Sequence, residues 1–213
     1  MIGLFMLLFG SLSFAALTYN LLSRGPLLFW DKTLANTLPA MALKGPLFLK
    51  SLIDSGFYIG KEVIIAIGLI LGLYFLYKRF WLELAMLTIG LVGASTLFLL
   101  LSNYFGRLRP PTQIWIIENI PGFPSGHAVS AVTFYGLLAY LLVPKIRPVF
   151  WKYVVAAAAL LIIFFIGFTR VFTGGHYLTD VLAGYSVGIA WSGFVYTLLE
   201  LAFQKRRSPI VKV

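Results

Sequence analysis

Residues 81–102 read WLELAMLTIGLVGASTLFLLLS. One charged side chain, Glu83, stands near the front, and the rest is apolar or small. A helix needs about 20 mainly apolar residues to cross roughly 30 Å of hydrocarbon. This stretch has that length and lacks the charges that would hold it in water. Five further runs of the same kind surround it: about Ile2 to Leu22, Val63 to Tyr77, Gly126 to Val143, Trp151 to Phe168, and Tyr177 to Leu201. The run at Val63 is short unless it begins near Phe57. The run at Ile2 has the position of a secretory leader, but no Lys or Arg precedes it and it is long for a leader's apolar core, so it is expected to be a retained helix.

Between the first two runs, residues 24–60 carry the breakers Gly25-Pro26, Pro39 and Gly45-Pro46. Leu34, Leu38 and Leu43 lie there among Lys32, Asn36 and Lys44. That pattern suits a short helix lying at the membrane interface, and equally a plain loop. No internal repeat and no second domain is visible, so residues 1–213 are expected to form one all-α, six-helix membrane domain.

The composition agrees. Hydrophobic residues make up 60% of the 213 and charged residues 11%, against roughly 45–50% and about 25% in soluble domains. The mean hydropathy is +0.93. Disorder is excluded by the low charge and a disulfide scaffold by the absence of cysteine. The net charge of +10 raises the question of nucleic acid, but no basic helix or aromatic-basic surface pattern accompanies it.

In a membrane chain, basic residues mark the cytoplasmic side. Six spans put both termini on one side, and that side carries Lys78, Arg79, Lys145, Arg147, Lys152, Lys205, Arg206, Arg207 and Lys212 in three short segments. The other side holds Arg24, Lys32, Lys44, Lys50 and Lys61 in or beside the long connection, together with Arg107, Arg109 and Arg170. The expected setting is a bacterial inner (plasma) membrane with cytoplasmic termini.

The only two histidines, His127 and His176, each open a span at its non-cytoplasmic end. The alternation of spans therefore brings Arg107, Arg109, Ser125, His127, Arg170, His176 and Asp180 to one side. His176 and Asp180 are spaced i, i+4 and share a helix face. A carboxylate there can accept the Nδ1 proton and leave Nε2 to attack, or the two can be a capping or packing pair. Pro124-Ser125-Gly126-His127 stands at a helix start. There Ser125 can cap, Gly126 lets a ligand approach the backbone, and free N–H groups favour an anion. Arg109 and Arg170 offer donor forks suited to phosphate oxygens, and Gly174-Gly175 allows a tight turn before His176. No carboxylate cluster offers itself to a metal, so positive side chains would supply the electrostatics. Together these groups suit phosphoryl transfer through a covalent phosphohistidine.

The residues resemble the type 2 phosphatidic acid phosphatase family of integral-membrane lipid phosphatases. Its three motifs are Lys-x6-Arg-Pro, Pro-Ser-Gly-His and Ser-Arg-x5-His-x3-Asp. The second is intact at Pro124 to His127. The third reads Thr169-Arg170-x5-His176-x3-Asp180, with Thr for Ser. The first reads Ser102-x6-Arg109-Pro110, so the lysine is missing. The resemblance implies His176 as nucleophile, Asp180 as its orienting partner, and His127 as the acid for the leaving alkoxide. It also implies that Arg109, Arg170, Ser125 and the Gly126 N–H hold the phosphate. Ser102 cannot replace the lysine's charge, and Arg107 is the expected substitute.

The expected activity is metal-independent and cofactor-free hydrolysis of a lipid phosphate at the outer face. Candidate substrates are phosphatidic acid, phosphatidylglycerol phosphate, a polyprenyl pyrophosphate and phosphorylated lipid A. The same motifs occur in soluble vanadium haloperoxidases, which the composition excludes, and in membrane phosphotransferases, which pass phosphate to a second lipid. A transporter or a lipid-phosphate-binding scaffold is the alternative outside enzymes; the ionisable residues, however, do not sit near mid-span as a translocation path requires. Oligomeric state has no signature here.

Overall fold

The computed structural model describes residues 2–111 and 121–207, and every regular element among them is helical. The order is α1 (Ile2–Leu22), α2 (Leu27–Lys44), α3 (Leu47–Gly60), α4 (Glu62–Tyr77), α5 (Trp81–Phe105), α6 (Gly126–Leu142), α7 (Val149–Phe172) and α8 (Leu178–Arg207), with a 3-10 turn at Val143–Lys145. Six stretches are long and apolar enough to cross a membrane. α1, α5, α7 and the first 21 residues of α8 supply one each, α6 with its 3-10 turn another, and Lys50–Tyr77 the sixth. The protein is an integral membrane protein. Its spanning helices expose large apolar side chains, as at Leu4, Leu8, Leu69, Leu160 and Phe164, a surface that suits lipid.

The long connection is more ordered than its sequence suggests. It holds two helices rather than one short one. α2 turns Asp31, Ala35, Pro39 and Ala42 inward and packs on α7 and α8. Leu34 and Leu38 are half-buried, but Leu43 is exposed. The second span begins at Lys50, ahead of Phe57, and is broken at Gly60-Lys61. There Lys61 leaves helical geometry (φ −135°, ψ −65°). Gly is the weakest helix former after Pro, and the break falls beside it.

α6 is the central helix: Ala128, Val129, Ala131, Val132, Phe134, Tyr135 and Leu137 are all buried. α5, α7 and α8 surround it. Phe134, Leu137, Ile166, Met86, Leu87 and Ile64 form the main core. The Trp191 indole of α8 donates to the Gly90 carbonyl of α5 at 3.0 Å. α1 lies against α8 through a seam of small residues. A Cβ at Gly10 would stand 2.5 Å from the Ala190 nitrogen and 2.6 Å from the Ser186 oxygen. One at Gly193 would stand 2.4 Å from the Leu7 nitrogen. Lipid offers no hydrophobic drive between helices, so close backbone approach supplies the attraction.

Gly10→Val should therefore force α1 off α8. The expected cost is about 1–3 kcal/mol, the range for overpacking a close contact, read as a lowered thermal midpoint of tryptophan fluorescence in detergent. An unchanged midpoint would mean that α1 is held by something other than this seam.

Candidate active site

The non-helical segment that enters α6 is fixed by aromatic packing. Phe123 is fully buried, stacked on Phe14 at 5.9 Å and edge-on to Phe105 at 5.0 Å between ring centroids. The Phe123-Pro124 peptide is cis. Ser102 is also buried, and its hydroxyl donates to the Pro121 carbonyl at 3.0 Å. These contacts set the position of the next carbonyl, that of Gly122, whose own N–H donates to the Arg107 carbonyl.

His176 is buried and lies at the end of a tight turn. Gly174 takes φ +69° there, a value that favours glycine, and the His176 N–H donates to the Arg170 carbonyl at 3.1 Å. The ring is oriented from both ends. Nδ1 lies 2.8 Å from the Gly122 carbonyl, which can only accept, so Nδ1 carries the proton. Nε2 then bears the lone pair, and Arg109 Nη1 lies 3.2 Å from it. The same Arg109 nitrogen donates to the Gly175 carbonyl at 3.1 Å.

The i, i+4 spacing suggested that Asp180 accepts the His176 proton. The structure gives that bond to Gly122: the nearer Asp180 oxygen is 3.7 Å from Nδ1. Asp180 instead caps α8, accepting from the Tyr177 N–H at 2.9 Å, and it accepts from Arg107 on its other oxygen. Its backbone carbonyl takes the Ser125 N–H at 2.9 Å. Asp180 thus lies beside the imidazole without a hydrogen bond to it and ties α8 to the start of α6.

Arg107 takes a different part from the phosphate contact expected of it. Its fork donates to Asp180, to the Thr179 hydroxyl at 2.7 Å and to Asp31 at 2.7 Å. Its plane lies 4.3 Å from the Tyr177 ring centroid. Burial, opposed by the Arg107 charge, pushes the Tyr177 phenol up from its ordinary value, so the ring under the guanidinium stays neutral. Asp31 comes from α2, is buried, and also accepts from the Thr179 N–H at 2.9 Å and from its hydroxyl. Asp31, Thr179 and Gly122 were not singled out in the sequence. An acid 148 positions from its partner and a backbone carbonyl leave no motif to find.

Arg109, Gly126, His127 and His176 line one cavity of about 300 Å³. Gly60, Lys61, Ser95 and Ser130 also line it, together with Ile64 and Ile65 of α4 and Leu91, Phe98 and Leu99 of α5. Arg170, Lys61 and Arg109 are all near enough to His127 for their charges to act on its ring. Arg170 and Ser125 are buried and stand behind the lining. Ser125 does not cap α6 with its side chain; its hydroxyl oxygen is buried with no hydrogen-bond partner among the described residues. Gly126 has a packing reason beyond ligand approach, since the Phe98 ring lies 2.9–3.0 Å from where its Cβ would be. Among the described residues no three His, Asp or Glu side chains group as a metal site.

Comparison with known proteins follows the same lines. The family model of the PAP2 superfamily matches residues 81–204. A protein named phosphatidylglycerophosphatase B, from Bacillus subtilis (strain 168), is 35% identical over 138 residues, which are 63% of this chain and 64% of that protein. The crystal structure of a transmembrane PAP2-type phosphatidylglycerolphosphate phosphatase from Bacillus subtilis superposes with a TM-score of 0.74. It is 25% identical and covers 98% of each chain.

Removing Arg107 should leave two buried carboxylates without their shared counter-charge. Arg107→Met is expected to cost about 3–5 kcal/mol, as for breaking a buried ion pair, seen as a large drop in thermal midpoint. A stable Arg107→Met protein with only a raised KM would return Arg107 to the phosphate-binding set.

Proposed function

Because the chain belongs to the PAP2 superfamily, we propose that it hydrolyses a lipid phosphate through a phosphohistidine on His176, at the outer face of the membrane. The observation that carries this reading is the orientation of His176, whose Nδ1–H is held by a backbone carbonyl and whose Nε2 sits beside Arg109 in the cavity that His127 lines. A neutral imidazole with one fixed tautomer keeps its lone pair on Nε2, and attack needs the Arg109 N–H now beside it to pass to a phosphoryl oxygen.

In the first step the Nε2 lone pair forms a bond to phosphorus as the bond from phosphorus to the lipid oxygen breaks. His127 gives a proton to the departing alkoxide. The phosphohistidine carries positive charge on its ring, which the Gly122 carbonyl and the Asp180 carboxylate at 3.7 Å offset. In the second step water attacks phosphorus, the N–P bond breaks, and His127 takes the water's proton. Arg109, beside Nε2, would donate to the phosphoryl oxygens in both steps, with Arg170 and the Ser125 hydroxyl as the further donors of this reading. Phosphate ester hydrolysis is so slow uncatalysed that donors fixed in a dry site must supply most of the acceleration.

The lipid chains would lie against Ile64, Ile65, Leu91 and Leu99, at the α4–α5 face of the cavity. The names of the two Bacillus subtilis relatives make phosphatidylglycerol phosphate the first substrate to test. The basic residues of the shorter connections support an outer-side site with the termini in the cytoplasm. Three of the four basic tail positions, 205–207, fall at the end of α8, and Lys212 lies outside the described residues.

The full chain in detergent should release inorganic phosphate from phosphatidylglycerol phosphate, with and without EDTA. His176→Ala should abolish release while the thermal midpoint holds. His127→Ala should slow alkyl phosphates by about 10²–10⁴, the usual worth of general acid–base catalysis, and aryl phosphates much less. Near-normal turnover by His176→Ala would rule out the covalent step, and equal losses on aryl and alkyl esters would remove His127 as the acid.

A further inference from the structure

The first motif lacks its lysine, and neither substitute near it is available. Ser102 is buried with its hydroxyl on the Pro121 carbonyl, and Arg107 is held between Asp31 and Asp180. Yet the cavity has a second cation besides Arg109. We propose that Lys61, at the break between α3 and α4, contacts the transferred phosphoryl group together with Arg109 and takes the place of the absent lysine; this rests on the phosphatase reading above.

Three observations lead there. First, Lys61 lines the cavity with Arg109, His127 and His176, and among the described residues no other Lys or Arg side chain lines it. Second, its backbone is set against the site. A Cβ at Gly56 would stand 2.5 Å from Thr169, and one at Gly60 would stand 3.0 Å from Ile166 and 3.1 Å from the His127 ring. α3 therefore presses its last turn on α7 and on His127, and Lys61 follows directly, out of helical geometry at φ −135°, ψ −65°. Third, Lys61 interrupts the apolar stretch Lys50–Tyr77. Lys61 is exposed, as is its neighbour Glu62, and an ammonium group within a spanning segment is stable where it faces a polar cavity. The cavity holding two imidazoles and Arg109 is such a place. A flexible lysine, acting as a point charge with three donors, can follow a phosphoryl group from the lipid oxygen to Nε2.

The test uses the full chain in detergent, with phosphatidylglycerol phosphate as substrate and orthovanadate as a phosphate-like inhibitor. Lys61→Gln should lower kcat/KM about ten- to hundredfold, the factor for losing a hydrogen bond to a charged group, and should weaken orthovanadate inhibition by a similar factor. Lys61→Arg should retain most of both. Lys44→Gln, which removes a cation from the end of α2, should change neither. Wild-type kcat/KM and orthovanadate inhibition in Lys61→Gln would overturn the proposal and leave the phosphatase reading standing. So would an activity loss shared equally by Lys61→Arg with orthovanadate inhibition unchanged, which marks a packing role. Absence of phosphate release by the unsubstituted protein is the separate failure of the phosphatase reading, and Lys61 falls with it.

Discussion

The site is organised around one guanidinium held between two carboxylates. Arg107 comes from the segment after α5, Asp31 from α2 and Asp180 from the first turn of α8. All three meet where water is scarce, and none is cheap to bury alone. Their mutual satisfaction fixes three parts of the chain at one point. Thr179 joins the same network through its N–H and its hydroxyl. The Gly122 N–H is tied to the Arg107 carbonyl, so the clamp also bears on the carbonyl that orients His176. A fixed imidazole thus depends on a charge cluster that need not touch the substrate.

The helices were legible from hydropathy alone. α1 runs over Ile2–Leu22 as read, and the starts of α5 and α6 fall at Trp81 and Gly126. Bilayer-crossing helices advertise themselves because nothing but apolar length is required of them. α2 and α3 were harder to read. Pro39 sits inside α2, and Gly60 stands at the break that made the second span look short. Breakers mark the sequence wherever they fall, but only packing decides whether a helix survives them. α2 survives because its inward face finds α7 and α8.

At the site, the sequence brought both histidines and Arg109 to one end of the bundle by counting crossings, and the structure puts them on one cavity. The fine assignments needed coordinates. The i, i+4 geometry of His176 and Asp180 is real, but a helix start offers a carboxylate two competing partners, a free backbone N–H and a nearby guanidinium, and both are better placed than the imidazole. The acceptor that does hold Nδ1 belongs to the main chain of a glycine, which any sequence would supply. Lys61 reads in the sequence as one more positive residue in a connection, since the break that puts it on the cavity His127 lines is a tertiary feature.

The cavity lining combines imidazoles and cations with an apolar part, Ile64, Ile65, Leu91 and Leu99. In the lipid phosphatase reading this makes the site a filter for amphiphiles. A water-soluble phosphate ester of the same head group would leave the apolar part uncovered and forgo about 25 cal/mol for each Å² that a chain would bury. Sugar and nucleotide phosphates are then poor competitors by partitioning alone, so the enzyme can stand open beside them without a gate. Its working concentration scale becomes mole fraction in the bilayer rather than molarity in the surrounding water.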